Sequence, residues 1–481
     1  MSGEGEKFVA ALDLGTTVVR CLVIDQNGVV RGEEKSNLIL EYPKPGYVEV
    51  DPVVLWDQVL QVIKEAVKNA GIPPSSLTCM SITTQRSSFL CWDINNNEPL
   101  CNIITWKDLR SAGLVKTWNS SWIREKIAMN QVRFGTLDTF LIDKLTDGEK
   151  HVTDYSCASP TGFFDPYVLG WADWALKMFS IPSSILPQVV PTVGDHFGTC
   201  KIFRGIEIPI LCSIADQSAS VFGSGLFNYG NVKVTLGTGA FLDVNTGGNP
   251  HTSVAGIFPL VGWKFGSDLV YLAEGISKDA GTIVEWGKSI GLYDNVNETS
   301  SLAESVPHSN GVFFIPAFNG VQAPYNDTSA SAGFIGVTAT AKKAHMVRAL
   351  LESIAFRVHQ LLSVMHSEAD FNFEYIRADG GVARNDFILQ TIANLTGKRV
   401  ERPTSTEATA LGCALMAGIH AGIWSSREEV QSFYKISEDQ TWNGNYWKLE
   451  LVPKLGPSYL YDPILESHAV IKDIITPKPN K

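Results

Sequence analysis

The sequence predicts a mixed α/β protein of two lobes with a ligand cleft between them, and three observations lead to that class. The chain has 481 residues, more than one hydrophobic core usually organises. Strand-like apolar runs alternate with helix-period segments in both halves. A hairpin with a Gly/Thr turn heads each half, so the second half restarts the architecture of the first.

The elements follow in order. Residues 8–13 form an apolar run, Leu14-Gly-Thr-Thr17 supplies turn residues, and 18–25 resumes with β-branched residues before the Asn27-Gly28 turn. This reads as strand, hairpin, strand, hairpin. Across 52–68 a helical period runs through Val54, Leu55, Val59, Val62, Ile63 and Val67, with Asp51 as N-cap and Gly71 past the end. A strand over 77–83 follows. The second lobe opens with strands over 231–236 and 240–244, separated by Gly237-Thr238-Gly239. Helices are predicted over 278–290 and 342–366, a strand over 375–379, and helices over 386–396 and 406–421. The boundary is placed near Ser224, giving lobes 1–224 and 225–481.

With 44% hydrophobic and 19% charged residues, the composition is that of a folded chain in water, neither disordered nor membrane-embedded. A formal net charge of −11 argues against nucleic acid or an anionic membrane as the main partner, because both need a basic footprint. The start, Met1-Ser-Gly-Glu-Gly-Glu-Lys7, is polar and acidic where a secretory signal is basic and then apolar, which points to the cytoplasm. The eight cysteines form no Cys-x-x-Cys pair and have no histidines at ligand spacing, so they are expected to be reduced core residues. The longest apolar tract, 408–424, is broken by Gly412, Gly418, His420 and Gly422 and falls short of the roughly 20 residues of a membrane span. It reads as a buried helix with small residues for close packing.

No Gly-rich run ends in Gly-Lys-Ser/Thr, so any nucleotide site must be built without that loop. Three other segments suit phosphate. In Asp13-Leu-Gly-Thr-Thr-Val-Val-Arg20 a glycine lets the turn approach an anion, two threonines and the turn amides can donate, and Arg20 adds charge. Leu236-Gly-Thr-Gly-Ala240 is the same device on the other lobe. Ala378-Asp-Gly-Gly-Val-Ala-Arg-Asn385 runs from a strand end through two glycines into a helix start, where free amides suit a nucleotide. Each also occurs as an ordinary turn; all three together, in this order, point to a triphosphate held from both sides of a cleft. Between the hairpins, Ile208-Pro-Ile-Leu-Cys-Ser-Ile-Ala-Asp-Gln-Ser-Ala219 is an apolar strand ending in Asp216 at the start of a small-residue helix. A carboxylate there stands where open sheets place their ligands and can accept a hydroxyl proton. The alternative is that Asp216 only caps the helix.

These segments resemble the FGGY carbohydrate kinases, and within them the glycerol kinases, from about Phe8 to about Trp424. Further stretches similar to that family are Tyr42-Pro-Lys-Pro-Gly-Tyr-Val-Glu-Val-Asp-Pro52, Thr84-Gln-Arg86, Trp106-Lys-Asp-Leu-Arg110, Phe134-Gly-Thr-Leu-Asp-Thr139, His151-Val-Thr-Asp-Tyr-Ser156, Ala215-Asp-Gln217 and Phe314-Ile-Pro-Ala-Phe318. The resemblance implies the two-lobe actin-like ATPase fold, of the ribonuclease H-like kind, with the active site in the cleft between the lobes. It implies ATP and Mg²⁺, a small polyol such as glycerol as partner, and a possible homodimer. Thr16, Thr17 and Arg20 would contact phosphate, while Thr238, Gly281, Glu285, Gly381 and Asn385 would line the nucleotide. Asp216 would be the base; Arg86, Asp216 and Gln217 would hold the polyol hydroxyls, with Trp106 and Phe241 over its carbon chain.

Three departures stand out. Ser87 replaces a glutamate of the family, removing an acceptor for a substrate hydroxyl. Glu285 replaces a glutamine. Between Asn119 and Phe134 the family carries a much longer segment with a substrate-binding tyrosine, and this chain keeps only a short bridge. The alternatives to a glycerol kinase are therefore a kinase for another polyol or sugar, or a nucleotide-binding regulator on the same fold.

Overall fold

The computed structural model describes residues 5–108, 110, 126–127, 129–369, 371–403, 407–434 and 441–442. Most of the short bridge at 120–131 lies outside the described residues.

The first sheet contains Phe8–Leu14 (β1), Val18–Asp25 (β2), Val30–Asn37 (β3), Leu77–Thr84 (β4), Thr199–Phe203 (β5) and Ile206–Ala215 (β6). Their order is β5-β6-β4-β1-β2-β3, antiparallel through β1, β2 and β3 and parallel where β1, β4 and β6 adjoin. Every residue of β1 except Asp13 is buried, as expected of a central strand covered on both faces. Helix Pro52–Asn69 (α1) covers one face with Leu55, Val59, Val62, Ile63, Ala66 and Val67. The Asp51 carboxylate caps it, accepting from the amides of Val53 and Val54. At the end of β6 the chain turns into helix Asp216–Gly223 (α2).

The second sheet contains Val232–Leu236 (β7), Ala240–Gly247 (β8), Phe258–Phe265 (β9), Asp268–Ser277 (β10), Tyr375–Asp379 (β11), Arg399–Glu401 (β12) and Thr441–Trp442 (β13). Their order is β9-β10-β8-β7-β11-β12-β13, with β7, β8 and β10 antiparallel and β7, β11 and β12 parallel. Without the edge strands β5, β9 and β13, both sheets read third-second-first-fourth-fifth in chain order, with the same pattern of strand directions. The repetition suggested by the two hairpins is thus a repetition of topology. Helices Gly281–Ser289 (α3), Lys343–Glu368 (α4), Asp386–Thr396 (α5) and Ala408–His420 (α6) complete the lobe. α4 buries Val347, Leu350, Leu351, Ile354, Val358, Leu361 and Met365 at helical spacing against the sheet.

Two details differ from expectation. The helix predicted from 278 starts at Gly281, because Asp279 instead accepts from the Thr282 hydroxyl and from Asn319. All eight cysteines are free, but only six are buried; Cys91 is half-buried and Cys101 exposed.

The apolar tract ahead of Trp424 forms α6, a buried helix lying against α2 and the β1, β4 and β6 face of the first sheet. Among the described residues no helix is long and apolar enough to cross a membrane. α6 meets α2 backbone to backbone. A Cβ on Gly223 would lie 1.9 Å from the Ala408 oxygen, and one on Gly412 would lie 1.9 Å from the Ala219 oxygen. Small residues at i and i+4 on both helices permit that approach, and the crossing fixes the helix that begins with Asp216.

Candidate active site

The second lobe brings three backbone segments together. The β7–β8 turn receives hydrogen bonds on its carbonyls from the start of α3: Gly281 N donates to Gly237 O at 2.9 Å and Ala280 N to Thr238 O at 3.1 Å. A Cβ on Gly281 would sit 2.7 Å from the Gly237 oxygen. Gly380, with φ +91°, leaves β11 so close that a Cβ would lie 2.4 Å from the Leu236 oxygen. By contrast, beside Gly381 there is open space, and beside Gly237 nothing nearer than 3.9 Å. Thr238, Gly281 and Gly381 are therefore gathered around one opening. Glu285 lies one turn along α3 and is exposed. Asn385 is engaged at both ends, its oxygen capping α5 at Ile388 N and its amide donating to Thr299 Oγ1 at 2.9 Å. Its place here is the start of α5.

In the first lobe the β1–β2 turn closes through Gly15 N donating to Val18 O at 2.9 Å. Thr17 is exposed, and Thr16 Oγ1 accepts from Trp106 Nε1 at 3.1 Å. Arg20 is paired with Glu407, at the head of α6, and lies 3.5 Å from Glu33. Two carboxylates thus face this arginine on the strand that leaves the turn.

Asp216 is the first residue of α2 but does not cap it: Ala215 holds the cap position, with no side-chain cap bond. Its carboxylate accepts from Gln217 N at 2.8 Å and faces Arg86, Nε to Oδ1 3.6 Å. Burial pushes the Asp216 carboxyl up to about 6, against the pull of Arg86. Arg86 also pairs with Glu274 on β10 and stands over the Phe241 ring at 5.9 Å. Phe241 meets Trp106 edge to face, centroids 5.9 Å apart. Gln217 accepts from Thr235 Oγ1 at 2.9 Å. Arg86, Trp106, Asp216, Gln217 and Phe241 thus occupy one place, drawn from both lobes.

Ser87 takes φ +57°, a left-handed conformation costly for a residue with a Cβ, and its hydroxyl donates to Pro160 O at 3.3 Å.

The sequence reading left Asp13 without a role. It is the half-buried break in β1, and burial first and the nearby Asp216 charge next push its carboxyl up to about 7, against Arg20. No donor among the described residues bonds it. A half-buried carboxylate near Asp216, with no hydrogen-bond donor on it, suits a divalent cation such as Mg²⁺. Lys233, Asp379 and Glu274 were also missed: Lys233 Nζ pairs with Asp379 Oδ1 at 2.8 Å, and Asp379 accepts from Ser220 Oγ at 2.7 Å. The available signal was a charged residue interrupting an apolar strand run.

Comparison with known proteins gives one consistent outcome. The model for the FGGY family of carbohydrate kinases, N-terminal domain, matches residues 8–131 and 119–223, and that for the C-terminal domain matches 232–421. The chain is 42% identical to glycerol kinase 5 of Danio rerio, covering 90% of this chain and 91% of the relative. It is 38% identical to glycerol kinase 2 of Thermotoga maritima, covering 89% and 93%. The first of these alignments runs over 484 residues while using 90% of a chain of 481, so the relative supplies residues that this chain lacks. The crystal structure of Plasmodium falciparum glycerol kinase with ADP is similar at a TM-score of 0.87 and 27% identity, over 98% of this chain and 99% of that one. A gluconate kinase from Lactobacillus acidophilus, 20% identical with a TM-score of 0.81, shares the fold. With a two-lobe actin-like architecture and both domain models matched, the chain belongs to the FGGY family of carbohydrate kinases.

Proposed function

We propose that the protein transfers the γ-phosphoryl group of ATP to a terminal hydroxyl of glycerol, giving glycerol 3-phosphate and ADP. The observation that carries this reading is Asp216: a carboxylate at the carboxyl end of β6, free of capping duty, beside Arg86 and backed by an aromatic wall. The named relatives are glycerol kinases, which supports glycerol as the acceptor.

Asp216 accepts the proton of the attacking hydroxyl as its oxygen bonds to the γ-phosphorus and the bond to the β-γ bridging oxygen breaks. Arg86 and Gln217 hold the polyol, and the faces of Trp106 and Phe241 exclude water, which competes for the same phosphoryl group. Thr16, Thr17, Thr238, Gly281 and Gly381 receive the nucleotide through amides and hydroxyls of the two turns. Mg²⁺, when bound, would neutralise charge on the phosphates, and Asp13 would hold it.

A coupled assay of ADP release with glycerol, other polyols, pentoses and hexoses tests the reading. Glycerol-dependent release supports it; release with a sugar and none with glycerol, or none with any acceptor, defeats it.

A further inference from the structure

The buried charges around Arg86 do not balance. Two cations, Arg86 and Lys233, face four carboxyl groups: Asp216, Glu274, Asp379 and Asp243. Arg86 is taken by Glu274 and Asp216, and Lys233 by Asp379. Asp243 is left over. It is 1% exposed, and neither of its oxygens meets a donor. Its register partners are Glu274 on β10 and Lys233 on β7, and the carboxyl it meets is that of Glu274. Two other buried carboxylates among the described residues are well supplied with donors, and Asp143, with one oxygen unpaired, still has Arg133 on the other. Asp138 takes the hydroxyls of Thr136 and Thr153, and Asp154 takes the amides of Ser156 and Cys157 and the Thr192 hydroxyl.

Two buried carboxyl groups that meet hold a proton between them, because the doubly ionised pair is repelled and unsolvated. We infer that Asp243 is carried as the neutral acid, donating its O–H to Glu274, and that it is a positioning residue which keeps Glu274 in place to hold Arg86 beside Asp216. The inference rests on the reading of this cleft as the site of glycerol phosphorylation. Burial first, then the Glu274 charge, push the Asp243 carboxyl well above its usual range, against Arg86 and Lys233. The groups facing it are Glu274 from β10, Lys233 from β7 and Arg86 from the segment after β4, with Asp216 beyond Arg86. Loss of the proton sets three anions on Arg86, so the guanidinium is drawn from Asp216 and glycerol affinity falls.

Two variants test this. Asp243→Asn keeps an N–H donor toward Glu274 and cannot titrate; Asp243→Leu keeps the volume without the donor. The Asn variant should hold glycerol KM within about twofold of the parent, and the Leu variant should raise it about tenfold, the order of one lost hydrogen bond to a charged group. Mg-ATP Kd should stay unchanged in both, and the alkaline rise in glycerol KM of the parent should vanish in the Asn variant. Stability gives a second readout. A folded acid that keeps a proton the unfolded chain gives up loses stability as pH rises, so the Tm gain of Asn over parent should widen from about pH 5 to about pH 9. A Tm difference flat across that range, or equal KM losses in the two variants, overturns the inference. A parent inactive on every acceptor defeats the assigned reaction instead, and the Tm readout still decides the state of Asp243.

Discussion

The indole Nε1 of Trp106 donates to Thr16 Oγ1 at 3.1 Å, a single bond that joins the wall of the polyol side to the phosphate-side turn. Trp106 is itself placed by its backbone N donating to Ser88 Oγ at 3.1 Å, two residues from Arg86. Loss of the indole donor should therefore be felt at both ends of the cleft. Trp106→Phe keeps a ring against Phe241 and should raise glycerol KM and Mg-ATP Kd together, each by a few-fold. In a double-mutant cycle with Thr16→Val the coupling should be about 1 kcal/mol. Strictly additive effects would show that the bond carries nothing.

Asp216→Asn keeps shape and removes the base. Turnover should fall by about 10²–10⁴-fold while Mg-ATP affinity is retained. In the parent, kcat/KM should decline below a pH of about 6, where the carboxylate takes up its proton. The sign for stability is opposite. Because the folded value is raised, the folded state binds a proton that the unfolded chain releases, and stability falls as pH climbs from the ordinary carboxylate range through about 6. At neutral pH the Asn variant should accordingly melt higher than the parent. A variant with full activity would leave Asp216 as a spectator.

Much of this site was legible in the sequence, and the parts that were not share a cause. β1, β2, α1 and β11 show themselves through local period, a capping aspartate and turn glycines, so their bounds come close to expectation. Asp216 was visible because a carboxylate closes an apolar strand. Asp13 closes an apolar run in the same way, but what sets it apart is Asp216, brought near it by the parallel pairing of β1 and β6 with β4. Asp243 and Glu274 are 31 positions apart and meet only through the register of β8 and β10. The pairing of Arg20 with Glu407 was hidden for the same reason, since Glu407 arrives from the far end of the chain.

The glycines around the second-lobe turn divide into two kinds. A Cβ at Gly237 meets no protein atom nearer than 3.9 Å, whereas one at Gly380 would lie 2.4 Å from the Leu236 carbonyl oxygen in a left-handed backbone. Gly237→Leu should thus keep the parent Tm and lose Mg-ATP affinity, by calorimetry, about tenfold or more, as the side chain fills space a phosphate needs. Gly380→Ala should lower Tm before any effect on binding is read. Unchanged Mg-ATP affinity in Gly237→Leu would remove this turn from the nucleotide site.

Ser87 is the point where strain and substrate choice coincide. Its φ of +57° costs an L-residue about 1–2 kcal/mol, partly offset by the hydroxyl bond to Pro160 O, and it directly follows Arg86, whose head is fixed by Glu274 and Asp216. Strain held next to Arg86, the arginine proposed to hold the polyol, would aim its guanidinium. Ser87→Gly relaxes the backbone and should raise Tm slightly, while letting Arg86 swing and so raising glycerol KM. Ser87→Glu restores a carboxylate acceptor at a position where the family provides one. A hydrogen bond to a charged group is worth about 1.5–3 kcal/mol, so glycerol KM should fall by roughly 10-fold or more, with Mg-ATP Kd unchanged. If glycerol KM instead rises in Ser87→Glu, the new carboxylate has taken Arg86 from Asp216, and the pocket is built for a different acceptor. The polyol panel repeated on that variant reads out which acceptor it is.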